Sequence, residues 1–407
     1  MRRRQFLKTL TGMGAALAAG AGAAGATIRS GGPRVGVVGG GIVGASIAWR
    51  LAEAGAEVMQ FERTAPAAGA TRNSFAWLNA FVDDRHYQAL RLASIAVWRE
   101  LDQPLGLGIT WGGYLNWAHD AAEAEAVRAN AAQMAGTAYP VRYLASAEFA
   151  GFGPAIEPGP VAAAIYSALD GHIDPVHATL QFLAQARLRS ARFQCPVEVQ
   201  RLEMRAGRLR AVHTSSGVVP LDRLVIAAGV DAPALLAMAG FRLRLRHSPG
   251  FLAHSTPAPL EVRTVCDAPG GLSFKQMADG ALVGTDSPEP PDLPVHAAIR
   301  AGAVDFPDPA IRAMHGNRVL DKIRVFLPHA RAATLDRVTL GFRPMPTDGL
   351  PIVGHVPGAP DVYVAVTHSG MTLAPILGLH VRAELLYARE VAALAPYRPG
   401  RFSQQPS

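Results

Sequence analysis

Residues 33–63 read PRVGVVGGGIVGASIAWRLAEAGAEVMQFER. Val35, Val37 and Val38 around Gly36 form a short apolar run that predicts a buried strand. Gly39, Gly41 and Gly44 follow at G-x-G-x-x-G spacing. An Ala-rich apolar helix is predicted to about Ala54, with Gly55 ending it. Val58, Met59, Gln60 and Phe61 predict a second strand, closed by Glu62. Each glycine has a distinct physical job. Gly39 permits the tight turn, Gly41 lets the backbone approach a pyrophosphate, and Gly44 lets helix and strand pack closely. The helix N-terminus then faces the phosphates. Glu62, about twenty residues on, is placed to accept hydrogen bonds from a ribose. The motif lies between a strand and a helix, with an acid after the next strand. That context points to dinucleotide binding rather than to a plain turn.

The chain has 407 residues and is 49% hydrophobic, enough for a large core and two domains. Its formal net charge is +7, but Arg2, Arg3, Arg4 and Lys8 carry four of it and leave only +3. No basic cluster is interleaved with aromatics, so nucleic acid is not an expected partner. Cys195 and Cys266 have no metal-ligand spacing, and no metal site is expected. They are read as free, with pairing in an oxidising compartment as the alternative. Residues 3–8, RRQFLK, precede a weakly apolar, small-residue stretch ending at Ala26. This resembles a twin-arginine export signal over 1–26, which would carry a folded protein to the periplasm through the twin-arginine machinery. An uncleaved anchor is the alternative.

Farther along, residues 86–101 show apolar positions at helical spacing and 111–117, WGGYLNW, alternate like a strand. A helix is predicted over 176–187 and a buried strand over 224–228. Antiparallel strands are expected within 260–285, helical segments over 300–306 and 310–326, and a helix over 373–394.

Five pieces in order then resemble the D-amino-acid oxidase and glycine oxidase family of FAD-dependent oxidoreductases. They are the glycine-rich segment, GATRNS at 69–74, DGHIDP at 170–175, LVIAAG at 224–229, and GFRPMPTDGLPIVG at 341–354 with THSGMTLAP at 367–375. The resemblance implies an α/β fold with two domains. A Rossmann-type FAD-binding domain with an interrupted parallel sheet would take 33–85, 160–232 and 337–396. An antiparallel-sheet α+β substrate domain would take 86–159 and 233–336, and 397–407 would be a tail.

The resemblance also implies residue roles. Gly39, Gly41, Ile42, Val43 and Gly44 would hold the pyrophosphate, and Glu62 the adenosine ribose with Arg63 beside it. Thr71, Arg72 and Ser74 would line phosphate and flavin, with Ala76, Trp77 and Leu78 near the isoalloxazine. Val199 would meet adenine and Gly229 pack near the cofactor. Gly370, Met371 and Thr372, at a helix start, would stabilise negative charge on reduced flavin. Ala76 stands where the family often has Gly, so the flavin-side loop is expected to differ here. Some relatives tether flavin through a cysteine near Arg343; residues 341–354 have none, so the FAD is expected to be non-covalent.

The implied chemistry is oxidation of an amino-acid or amine C–N bond by hydride transfer to flavin N5. Oxygen, or a quinone or carrier protein, would take the electrons. Competing readings are FAD binding without turnover and a plain NAD-binding protein. Arg343 resembles the carboxylate anchor, where a planar fork fixes a substrate bidentately; an Arg bonded to backbone carbonyls is the alternative. Lys275 is a candidate flavin-side cation, with a surface lysine the commoner case. His368 is a candidate contact to flavin or substrate, and Trp77 and Tyr114 are candidate pocket walls. Ordinary structural roles compete for all three.

Overall fold

A computed structural model describes residues 31–151, 156–259, 262–286, 297, 299 and 308–403. The export signal expected at 1–26, the segment 300–306 and the end of the tail at 404–407 lie outside the described residues. A six-stranded sheet runs in the order Ile352–Val356, Ala359–Val366, Arg223–Ile226, Arg34–Val38, Glu57–Phe61, Arg192–Gln194. All its neighbours are parallel except the edge pair 352–356 with 359–366. Helices cover both faces of such a sheet, so Val35, Val37, Val225 and Ile226 are fully buried. The first helix, Ile42–Glu53, is apolar almost all round because it sits between Gly370–Tyr387 and Pro175–Leu188. A Cβ on Gly378 would come within 2.5 Å of Ser46 Oγ, which shows how closely the two helices approach.

The second sheet has eight strands, in the order Leu335–Phe342, Pro249–Pro257, Ala281–Asp286, Leu272–Gln276, Val265–Ala268, Tyr114–Ala118, Ala163–Ser167, Arg142–Tyr143. It is antiparallel apart from the 265–268 and 114–118 pair. One face packs on the helix Pro309–Phe326 through Phe274, Val319 and Ile323.

Several elements differ from the sequence reading. The helix Arg85–Leu105 sits in the core around the parallel sheet rather than with the second sheet, because Tyr87, Leu90 and Val97 pack with Val35, Val225 and Leu373. Asp84 caps it by accepting from the Tyr87 amide (2.7 Å), and Gly106 ends it at φ +58°. Residues 163–167 and 337–342 fall in segments expected for the FAD-binding half, yet their strands are hydrogen-bonded into the eight-stranded sheet. Strand Pro249–Pro257 has no clear signal, since proline at each end masks it. The last long helix is Gly370–Tyr387, three residues earlier at its start than predicted. Ala388 stops it at φ +48°, and Leu394 falls in a separate 3-10 turn. The tail is packed: Tyr397 and Phe402 are buried, and Arg398 donates to Glu384 (2.8 Å). Asp348-Gly349, whose Asp-Gly pair reads like a hairpin turn, is a turn between strands of different sheets, Met345–Pro346 and Ile352–Val356. Cys195 and Cys266 are both free thiols.

Candidate active site

A cleft of about 1120 Å³ brings the motifs together. Gly39 takes φ +114°, and a Cβ there would lie 2.4 Å from the Ala227 carbonyl oxygen of the neighbouring strand. A Cβ on Gly44 would lie 2.2 Å from the Gly39 carbonyl, so Gly44 serves helix–strand packing and does not line the cleft. Gly41, Ile42 and Val43 do line it. Gly41 at the N-cap offers no side chain and no acid lies in the first turn; the Ile42 amide donates to Thr71 Oγ1 at 3.2 Å. The amides and helix dipole at that end suit a pyrophosphate. Glu62 also lines the cleft. One carboxylate oxygen accepts from the Gly40 amide (2.7 Å), the other from the Thr64 amide and hydroxyl (2.8 Å each). The oxygen that accepts from Gly40 keeps a lone pair for a ribose hydroxyl. Arg63 is held by Asp231 at 2.8 Å, and Val199, Gly229 and Asp231 line the same end.

Thr71, Ser74, Phe75, Ala76, Trp77 and Asn79 form the next wall. Arg72 is exposed and off the cleft, and Leu78 points into the core, fully buried; both depart from the expected cofactor contacts. Ala76 is also a correction. It holds φ +52° despite its Cβ, fixed by its amide donating to Ser74 Oγ (2.9 Å) and its carbonyl accepting from Ile173 (3.2 Å). The left-handed turn is thus kept with alanine in place. Trp77–Leu78 pairs with Gly171–His172, which ties this loop to the DGHIDP segment. Asp170, fully buried, accepts from Trp77 Nε1 (2.8 Å) and Tyr139 OH (2.7 Å), and burial pushes its carboxyl up to about 7. Tyr114 stands behind Trp77, ring centroids 4.8 Å apart, and does not line the cleft.

The C-terminal helix supplies a second open N-terminus. Gly370, Met371 and Thr372 line the cleft, with no side-chain cap and no first-turn acid. Thr372 Oγ1 donates to the Trp77 carbonyl (3.3 Å), joining the two walls. His368 lines the cleft just before this helix. Burial first, then Arg91, Arg343 and Arg246, push its imidazole down to about 4, so it is neutral at pH 7.

Arg343 lines the cleft at the end of strand 335–342. More than a third of its surface is open, and that surface faces the cleft, while the surrounding protein lowers its pKa by desolvation. Among the described residues no carboxylate pairs with it; it makes one long donation, to the Pro249 carbonyl at 3.5 Å. Lys275 is not a surface lysine. It is 1% exposed and does not line the cleft; its Nζ lies 5.4 Å from the ring centre of Phe75, which does. Burial pushes its ammonium down to about 7. Arg91 lines the cleft and is absent from the sequence-derived candidates, although Tyr87, Arg91, Ser94 and Trp98 fall on one buried helical face at readable spacing.

Known proteins share this fold. The family profile described as FAD dependent oxidoreductase matches residues 34–384. The chain belongs to this family. This FAD-dependent oxidoreductase is 26% identical over 388 residues to one of the opine oxidase polypeptides of Agrobacterium tumefaciens (strain Ach5), covering 91% of this chain and 97% of that one. It is 27% identical over 378 residues to glycine oxidase of Geobacillus kaustophilus (strain HTA426), covering 89% and 95%. A crystal structure of glycine oxidase from Geobacillus kaustophilus superposes with a TM-score of 0.78 at 26% identity, over 90% of this chain and 98% of that one. L-proline dehydrogenase from P. horikoshii, at 21% identity, shares the fold with a TM-score of 0.80, over 92% of this chain and 98% of that one. The residues present fit FAD: a glycine turn that tolerates no Cβ at Gly39, an acid beside it, and two helix N-termini on one cleft.

Proposed function

We propose that this oxidoreductase oxidises the C–N bond of an amino acid, which Arg343 holds by its carboxylate. One observation carries the reading: among the described residues the Arg343 guanidinium has no carboxylate partner, and it lies on the same cleft as the dinucleotide turn. Bound FAD supplies the hydride acceptor. The chain supplies binding, orientation and field. Arg343 fixes the substrate plane and sets which α-hydrogen faces the flavin. His368 is neutral, so it adds no charge beside the amine. The helix start at Gly370 offers amides and a positive dipole end where negative charge develops. Trp77 and Phe81 wall the cleft with apolar surface. The amine must be neutral to assist hydride loss, so flavin reduction speeds up as pH rises. The names of the relatives, opine oxidase and glycine oxidase, support an amino-acid substrate.

The test is anaerobic stopped-flow reduction of the holoenzyme with an accepted amino acid and with its amide. The acid should react faster, and Arg343→Ala should lose that preference. An amide that reacts as well as the acid in wild type overturns the anchor. The same assay under air, beside one with an artificial acceptor, separates oxygen from a quinone or carrier. FAD is held without a covalent bond, so acid precipitation should leave yellow flavin in the supernatant. The twin-arginine pattern at residues 3–8 supports export to the periplasm. N-terminal sequencing of periplasmic protein should begin near Thr27, and soluble cytoplasmic protein starting at Met1, with none exported, overturns it.

A further inference from the structure

Two cations are buried at the flavin side of the molecule, and they differ in kind. Lys275 can shed its proton, and burial brings it close to doing so at neutral pH. Arg91 cannot, because a guanidinium stays charged in proteins. Arg91 is 6% exposed, lines the cleft, and has a buried Nε with no partner. Among the described residues nothing accepts a hydrogen bond from it or pairs with it. The carboxylate that acts on it, Asp170, is engaged by Trp77 and Tyr139. Its other neighbour is the Tyr87 ring, 5.3 Å from Cζ. Asp170, with a pKa of about 7, is only partly charged at neutral pH and makes no hydrogen bond to Arg91, so the buried guanidinium is left to be completed by a ligand.

Arg343 stands on the same cleft, also without a carboxylate partner among the described residues. Arg91, Arg343 and His368 line the one cleft, and both guanidiniums act on the His368 imidazole, as does Arg246. Among the described residues no acid is paired with any of the three arginines.

We infer that the substrate is a dicarboxylic amine, with its α-carboxylate on Arg343 and a second carboxylate on Arg91. An N-carboxyalkyl amino acid or an acidic amino acid fits this description. The inference rests on the proposed amine oxidation only for the identity of the reacting group; the two-anion site is tested without turnover.

The holoenzyme is titrated with malonate, succinate and glutarate, and separately with acetate, propionate and butyrate, following the visible flavin spectrum. At least one dicarboxylate should bind on the order of thirtyfold more tightly than its monocarboxylate counterpart. Arg91→Gln should bring that ratio to within about threefold, and Arg91→Lys should fall between. Equal affinities in wild type overturn the inference, and need no variant that folds. A ratio unchanged in Arg91→Gln overturns it too. If Arg91→Gln weakens both ligand classes equally and shifts the flavin reduction potential, Arg91 serves the flavin and the inference fails. If the Arg91-dependent ratio holds but neither iminodiacetate nor N-methylglycine reduces the flavin, the two-anion site stands and the amine-oxidation reading falls.

Discussion

From Gly39 to Glu62 the cleft wall is built by neighbours in sequence, and it acts through backbone amides, one helix end and one carboxylate. The opposite wall takes Arg91 from the middle of a long helix, Arg343 from the end of a strand in the other sheet, and His368 from a third segment. It acts through side-chain cations. A backbone site needs glycines at fixed offsets, and a Cβ at Gly39 or Gly44 would collide with a backbone carbonyl. A side-chain site needs only that distant elements converge, which leaves no spacing to read.

The first way to break this contrast is Gly41→Val. A Cβ at Gly41 meets only Thr71 Oγ1, at 3.0 Å, so the fold should survive while the branched side chain fills the pyrophosphate's place. The purified variant should keep its circular dichroism and carry no flavin. A yellow variant would mean that the turn does not cradle the phosphates.

Next in size is Arg343→Ala. Losing a charge-assisted bidentate pair should lower kcat/KM by about 2–5 kcal/mol, with Arg343→Lys between it and wild type. FAD content should stay level, which separates the two walls. Wild-type rates in both variants would make Arg343 structural.

Asp170 joins the flavin-side loop to Tyr139, and its charge tests how dry that junction is. Its folded pKa, about 7, lies above the ordinary carboxyl value of 3.8, so its contribution to stability is lost as pH rises from about 4 to about 7. His368 has the opposite sign: lowered from 6.5 to about 4, it costs stability as pH falls through that window. Asp170→Asn keeps an acceptor for Trp77 and offers a donor to Tyr139. Relative to wild type it should therefore be more favourable near pH 7.5 than near pH 4.5, by roughly 3 kcal/mol. Urea unfolding of both proteins at the two pH values reads this directly. An equal difference at both means that Asp170 is ionised throughout.

The smallest effect belongs to Ala76→Gly. Alanine at φ +52° is strained, and glycine relieves that while adding freedom to the unfolded chain. The net gain should be about 0.5–1 kcal/mol, read as a higher urea midpoint. A loss would show that the methyl group packs against something the flavin loop needs.

The sequence by itself determined the dinucleotide turn, the parallel strand that precedes it and the acid that follows. Local sterics decide those, and glycine spacing writes them into the chain. It also marked Arg343 through its G-F-R-P context and the helix start at Gly370. Tertiary structure decided the rest. Leu78 and Arg72 follow Thr71 in the same loop, yet one points into the core and the other to solvent, because the pairing of Trp77–Leu78 with Gly171–His172 fixes which side faces the cleft. Lys275 reads as a surface residue in SFKQM, but its strand is central in the eight-stranded sheet and both faces are covered. Arg91 looks like one charge on an amphipathic helix. Only the packing of that helix against Gly370–Tyr387 turns its inward face toward the cleft, and that contact joins residues nearly three hundred positions apart, such as Ser94 and Thr372. Sequence patterns record what a residue's neighbours along the chain require, whereas burial of a lone charge is set by elements that meet only in the fold.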